Sequence, residues 1–237
     1  MPSCLLAVTI DAHDPARLAG FWAGLLGAQV VEDRRGALVP GSATRVGLRF
    51  APSTSEKAGL ERVHLHLTST SPGDQEQTVA AALELGARHL DVGQHPAEGH
   101  VVLADPEGNE LCVIEPGNSF VAGCGLLGEV ACDGTRQVGL FWAEALGWPL
   151  VWDEGQESAI QSPQGGTKVA WGGPPVAPKR GRNRQRFEVT LAGDLTAEAD
   201  RLVRLGASRL PSNAYGDLEL ADPDGNEFRL RHADQPA

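Results

Sequence analysis

Lysine is almost missing from this chain: Lys57, Lys168 and Lys179 are the only three among twenty basic residues in a sequence of 237. That preference for arginine points to a bacterial, GC-rich source. Basic charge as a whole is also short. The 31 acidic residues leave a formal net charge of −11 and a pI near 5.0, which excludes nucleic acid as an expected partner. No apolar run approaches the roughly 18 residues of a bilayer-crossing helix, so no membrane partner is expected either. No basic stretch precedes the first apolar segment, "LLAVTI", which speaks against a secretory signal and for a cytoplasmic location. The four cysteines (Cys4, Cys112, Cys124 and Cys132) have no CxxC spacing, which excludes a disulfide scaffold and leaves reduced thiols as the simpler reading.

What is present is a globular composition, 41% hydrophobic and 22% charged, long enough for one large domain or two ordinary ones. It is also written twice. "ADPEGNE" at 104–110 returns as "ADPDGNE" at 221–227, and "FWAGLLGAQVV" at 21–31 returns as "FWAEALGWPLV" at 141–151. "ALELGAR" at 82–88 matches "LVRLGAS" at 202–208, and "ERVHLHL" at 61–67 falls opposite "QRFEVTL" at 185–191. Several matches in one order, with offsets of 117 to 124, identify a tandem duplication. The break falls in "EPGNSFVAGCG" (115–125), which sets domains of 1–118 and 119–237.

Each half carries the same grammar. An apolar strand (5–10, 126–131) leads into a helix bearing Phe-Trp and ending at Gly27 or Gly147, with Asp14 as cap and Pro15 in the first turn of the first copy. Short strands near 29–32, 36–39 and 45–50 follow. A second unit has a strand at 62–68, a helix at about 74–86, and strands near 89–92, 100–104 and 110–115. The repeated phrase reads as hairpin turn chemistry, with Pro106 setting its own φ and Gly108 or Asn109 taking the positive φ. The pattern is β-α-β-β-β, four times over.

The ordered set "DPARLAGFWAGLLG", "RVHLHL", "ALELGA" and "LADPEGNELCVIEPG" resembles the glyoxalase/bleomycin-resistance group, the vicinal oxygen chelate superfamily, and within it the tandem glyoxalase-like domains of bacteria. The resemblance spans nearly the whole chain. It implies an α+β fold of two tandem domains, each of paired βαβββ modules forming a half-barrel around a cavity that takes a small molecule. A monomer and a homodimer are both compatible with it.

Strand alternation sorts the side chains independently of the family. His64, His66, Glu110 and Cys112 point away from the Val63, Leu65, Leu67 face, and Leu5, Ala7 and Thr9 oppose Leu6, Val8 and Ile10. In the second copy Glu129, Glu188, Thr190, Arg229 and Arg231 face inward, with Phe187, Val189, Phe228 and Leu230 in the core. Metal-binding relatives draw His, Gln or Glu from the first, middle and last strands. Carried over, those positions hold Ala7, His64 and Cys112, with Leu48 at the accessory place. One ordinary ligand does not hold a divalent metal against water, so no cofactor is expected. The rescue would be a triad of His64, His66 and Glu110. Glu129, Glu188 and Arg229 are expected to converge as an ion-pair cluster.

Trp152 and Trp171 lie on expected strands, where they either stack on an aromatic ligand or fill a core. Trp22 and Trp142 occupy matched structural positions on the helices. The stretch "GGPPVAPKRGRNRQR" (172–186) is the one basic concentration, either a flap over an anionic ligand or a surface hinge. The expected function is a small-molecule binder without the usual chelate, its ligand held by His64, His66, Cys112, Glu129, Glu188, Arg229, Trp152 and Trp171. The alternative is a lyase, isomerase or dioxygenase of this superfamily, using His64 or Glu188 as base and metal-dependent through His64 and His66.

Overall fold

In the computed structural model, residues 3–57, 59, 61–95, 98–211 and 216–233 are described. The first half runs β1 (Cys4–Ala12), α1 (Pro15–Leu26), β2 (Val31–Asp33), β3 (Gly36–Val39), β4 (Gly47–Pro52), then β5 (Val63–Leu67), α2 (Pro72–Glu84), β6 (Arg88–His89), β7 (Val101–Ala104) and β8 (Glu110–Val113). The second half repeats it: β9 (Leu127–Cys132), α3 (Arg136–Leu146), β10 (Leu150–Glu154), β11 (Glu157–Gln161), β12 (Lys168–Trp171), then β13 (Gln185–Leu191), α4 (Leu195–Leu205), β14 (Ser208–Arg209), β15 (Leu218–Ala221) and β16 (Glu227–His232). The expected β-α-β-β-β unit thus occurs four times.

Local chemistry accounts for the helix limits. Asp14 accepts from the Arg17 N–H at 3.0 Å, Pro15 occupies the first turn, and Gly27 closes α1 in the left-handed region. Gly147 ends α3 in the same way. Alternation along β5 is regular, with Val63, Leu65 and Leu67 buried and the two histidines between them half-buried.

The strands assemble into two eight-stranded sheets, ordered β14-β15-β16-β13-β1-β4-β3-β2 and β10-β11-β12-β9-β5-β8-β7-β6. Neither sheet belongs to one half. The first joins the opening module of the first half to the closing module of the second, through an antiparallel β1–β13 seam that sets Ala7 opposite Glu188. The second joins the two middle modules through a β5–β9 seam that sets His66 opposite Glu129.

One expectation of parity fails at the first seam. The β1–β13 register shifts between Leu5 and Ala7, a bulge that adds one residue and exchanges the faces beyond it. Leu5, expected to face inward, therefore packs on the core in the place expected of Leu6.

The larger of two apolar clusters runs through both sheets and the helices, with Trp22 and Trp142 each 1% exposed. The repeated phrase ties it together. In the first copy Asp105 accepts from the N–H groups of Glu107 and Asn109, both at 2.9 Å, and from Trp22 Nε1 at 3.3 Å. Gly108, not Asn109, takes the positive φ (88°) that closes the turn. Glu107 then reaches out of the hairpin and accepts from the N–H groups of His13 and Asp14 (2.9 and 2.8 Å), at the start of α1. In the second copy Asp222 accepts from Trp142 Nε1 at 3.3 Å, and Asp224 accepts from the Thr135 N–H and hydroxyl at 2.7 and 3.0 Å. The hairpin of one sheet thereby caps a helix packed on the other.

Candidate functional site

The exchange of modules separates residues that the sequence places together. Ala7, Leu48, Glu188 and Arg229 lie on the first sheet; His64, His66, Cys112 and Glu129 lie on the second. The carried-over set Ala7, His64, Cys112 and Leu48 therefore shares no bowl. The expected convergence of Glu129 with Glu188 and Arg229 is corrected for the same reason: β9 pairs with β5, and β13 pairs with β1.

The bowl of the first sheet is filled by ion pairs. Glu188, 0% exposed, accepts from Arg49 Nε at 2.7 Å, from Arg231 Nε at 2.5 Å and from the Thr9 hydroxyl at 3.1 Å. Arg49, also fully buried, spans on to both oxygens of Asp33 at 2.9 Å. Arg229 sits 3.7 Å from Asp217 and 3.5 Å from Glu219. Every carboxylate in the network is matched by a guanidinium group, which offsets the cost of burying its charge. Both oxygens of Glu188 are committed to guanidinium groups, so it is not placed to act as a base.

The bowl of the second sheet is open. A cavity of about 470 Å³ is lined by His64, Glu129 and Ala131 from the β5–β9 seam, by Ala170 from β12, and by Phe120 and Trp152. Trp152 is 37% exposed and meets Phe120 edge to face, with ring centroids 5.8 Å apart. Trp171 also borders the cavity, but it is 2% exposed and most of its indole lies in the core, packed over Gly139 of α3. Its parity on β12 is that of Val169, opposite to Ala170. Phe120 went unrecognised as a site residue because its segment reads only as the break between the copies. That segment lies against the open face of β7 and β8: Val121 and Cys124 pack with Val102, Cys112 and Ile114. Lys168 Nζ donates to the Phe120 carbonyl and lies 4.5 Å from the ring centre.

At the floor, His66 Nδ1 is 2.6 Å from Glu129 Oε2. Burial disfavours charge on His66, but hydrogen bonds to Cys112 and Glu129 and the charge on Glu129 outweigh it and push the ring up to about 9. His64, its ring centre 4.8 Å from that of His66, is driven down to about 4 by burial and by the neighbouring imidazole. His64 is thus a neutral ring with an available lone pair and a weak base. That basicity is poorly matched to abstracting a proton at neutral pH, and it suits binding or ligation better.

His64, His66 and Cys112 offer donor atoms within 4.8 Å of one another. The expected third partner, Glu110, is instead held by Lys57 Nζ at 2.5 Å, so Cys112 completes the set. Two imidazoles and a thiolate, with Glu129 holding the far nitrogen of one ring, are the donors and outer partner of a zinc-like ion rather than of Fe²⁺ or Mn²⁺. The residues present fit such an ion provided that binding displaces the protons from His66 and Cys112.

A family model described as a glyoxalase-like domain matches residues 7–114 and again 129–231. Among solved structures, glyoxalase I from Zea mays superposes with a TM-score of 0.63 at 14% identity, covering 96% of this chain and 92% of that one. A Bacillus subtilis protein provisionally assigned as a dioxygenase superposes with a TM-score of 0.64 at 13% identity, covering 98% and 86%. At these identities the likeness is one of fold. No curated protein matches the chain.

Proposed function

The chain belongs to the glyoxalase-like domain family of the vicinal oxygen chelate superfamily, once in each half, and from that premise we propose that it binds a small organic molecule in the bowl of the second sheet. One contrast carries the reading. Of two bowls built on the same plan, one is closed by buried ion pairs, while the other keeps a cavity of about 470 Å³ with aromatic walls and polar groups at its floor. Trp152 and Phe120 give a flat ligand its apolar contact, and His64 and Glu129 give it orientation. Glu188 and Arg229 serve the fold instead of the ligand.

Thermal-shift screening of the whole chain against aromatic metabolites and antibiotics tests this. A stabilising compound is expected, with Trp152→Ala weakening it at least tenfold, as loss of a ring contact and its buried area requires. A screen in which only metal ions stabilise the protein would refute the reading.

The second reading, a metal-dependent enzyme of this superfamily, draws support from one observation, the proximity of His64, His66 and Cys112. A zinc ion held there would supply a Lewis acid beside the cavity. Glu129 would keep His66 in the orientation and tautomer that ligation needs, and the aromatic walls would exclude water. Elemental analysis separates the two readings: stoichiometric zinc, lost in both His64→Ala and Cys112→Ser, supports the enzyme, and metal-free protein that still binds its ligand supports the binder.

A further inference from the structure

Beside the bowl, the loop between β4 and β5 faces the loop between β12 and β13 across a cleft of about 310 Å³. Four guanidinium groups line it, from Arg62, Arg180, Arg182 and Arg184, against two carboxylates, Glu56 and Glu61. In a chain of net charge −11 this is an inverted local balance. We propose that the cleft is a second binding site, separate from the bowl, for an oxyanion: a phosphate or carboxylate group.

The partners of each arginine decide how much of that charge is unspent. Arg182 is paired with Glu219 at 2.8 Å, so its charge is spent. Arg184 is anchored by the backbone carbonyls of Ser55 and Asp11 (2.5 and 2.8 Å), and its nearest carboxylate oxygen, on Glu61, is 3.5 Å away. That contact is made by its buried Nε, so Arg184 is already compensated by Glu61 and serves to order the wall of the cleft.

Arg62 is held by two neutral acceptors, Asn226 Oδ1 at 2.9 Å and the Ala177 carbonyl. It is fixed in place, with no ion pair among the described residues. Arg180 is exposed and has no ion pair among the described residues. One wall therefore offers an ordered cation and the other a free one. An oxyanion between them takes forked hydrogen bonds that neither loop supplies to itself. Glu56, at the exposed rim, and Glu61, paired to Arg184, oppose this and limit affinity.

The test is isothermal titration of the full chain with inorganic phosphate and, separately, with citrate, at constant ionic strength. Saturable one-to-one binding of at least one of them is expected, and the arm that binds names the source of the oxyanion. Arg180→Ala, which breaks no hydrogen bond or ion pair among the described residues, is expected to weaken binding about fivefold, the scale of one exposed charge contact. Glu56→Gln is expected to strengthen it about twofold, and Trp152→Ala to leave it unchanged, which keeps this site distinct from the bowl. Failure of both anions to saturate, or an Arg180→Ala protein that binds as the parent does, would overturn the proposal.

Discussion

Glu188 shows what one buried carboxylate does when two arginines share it. Its side chain is 0% exposed, and Arg49 and Arg231 contact opposite oxygens at 2.7 and 2.5 Å. Removing the charge while keeping the shape leaves two guanidinium groups without their counter-ion in a dry environment. Glu188→Gln is therefore expected to cost about 3–5 kcal/mol in urea unfolding, the scale of a broken buried pair. Ligand binding in the other bowl should persist under native conditions, because Glu129, not Glu188, sits there. Glu129 itself was legible as an inward residue from β9 parity. Its partner was not, because nothing along the chain announces that His66, from the other half, lies 2.6 Å away.

At the scale of elements, the repeated seven-residue phrase does more than turn a hairpin. Its fourth position, Glu107 or Asp224, reaches the first turn of a helix on the opposite sheet and accepts the N–H groups that the helix leaves unsatisfied. A carboxylate there also complements the positive end of the helix dipole. Glu107→Ala and Asp224→Ala are each expected to lower stability by about 1 kcal/mol in thermal or urea unfolding. The double variant should lose roughly the sum, since the two caps share no partner. The turn and the helix stops were readable from Pro, Gly and Asp positions alone. The reach from turn to helix was not, because it crosses between sheets.

The whole molecule is two sheets, each made from both halves, so its tandem repeat is not two independent folding units. Dividing the chain at the expected boundary, into 1–118 and 119–237, would cut the β1–β13 and β5–β9 seams and bare four strand edges. Neither fragment is expected to be a folded monomer. Each should self-associate or aggregate alone, and the two together should give a one-to-one complex by light scattering after gel filtration. A fragment that elutes as a stable monomer with native near-ultraviolet dichroism would contradict the exchanged arrangement.

Short-range chemistry, by itself, determined the number and kind of elements, the duplication, and which side chains alternate inward, because pleat, capping and turn geometry act over a few residues. The bulge at Leu5 was hidden, since an inserted residue is defined only against its partner strand. Tertiary structure alone decided which modules pair, and hence that His64, His66, Cys112 and Glu129 share one bowl while Glu188 is locked in the other. The duplicated modules present nearly equivalent strand edges, so pairing within a half and pairing across halves satisfy the same local rules. The choice between them is made by the packing of the complete chain.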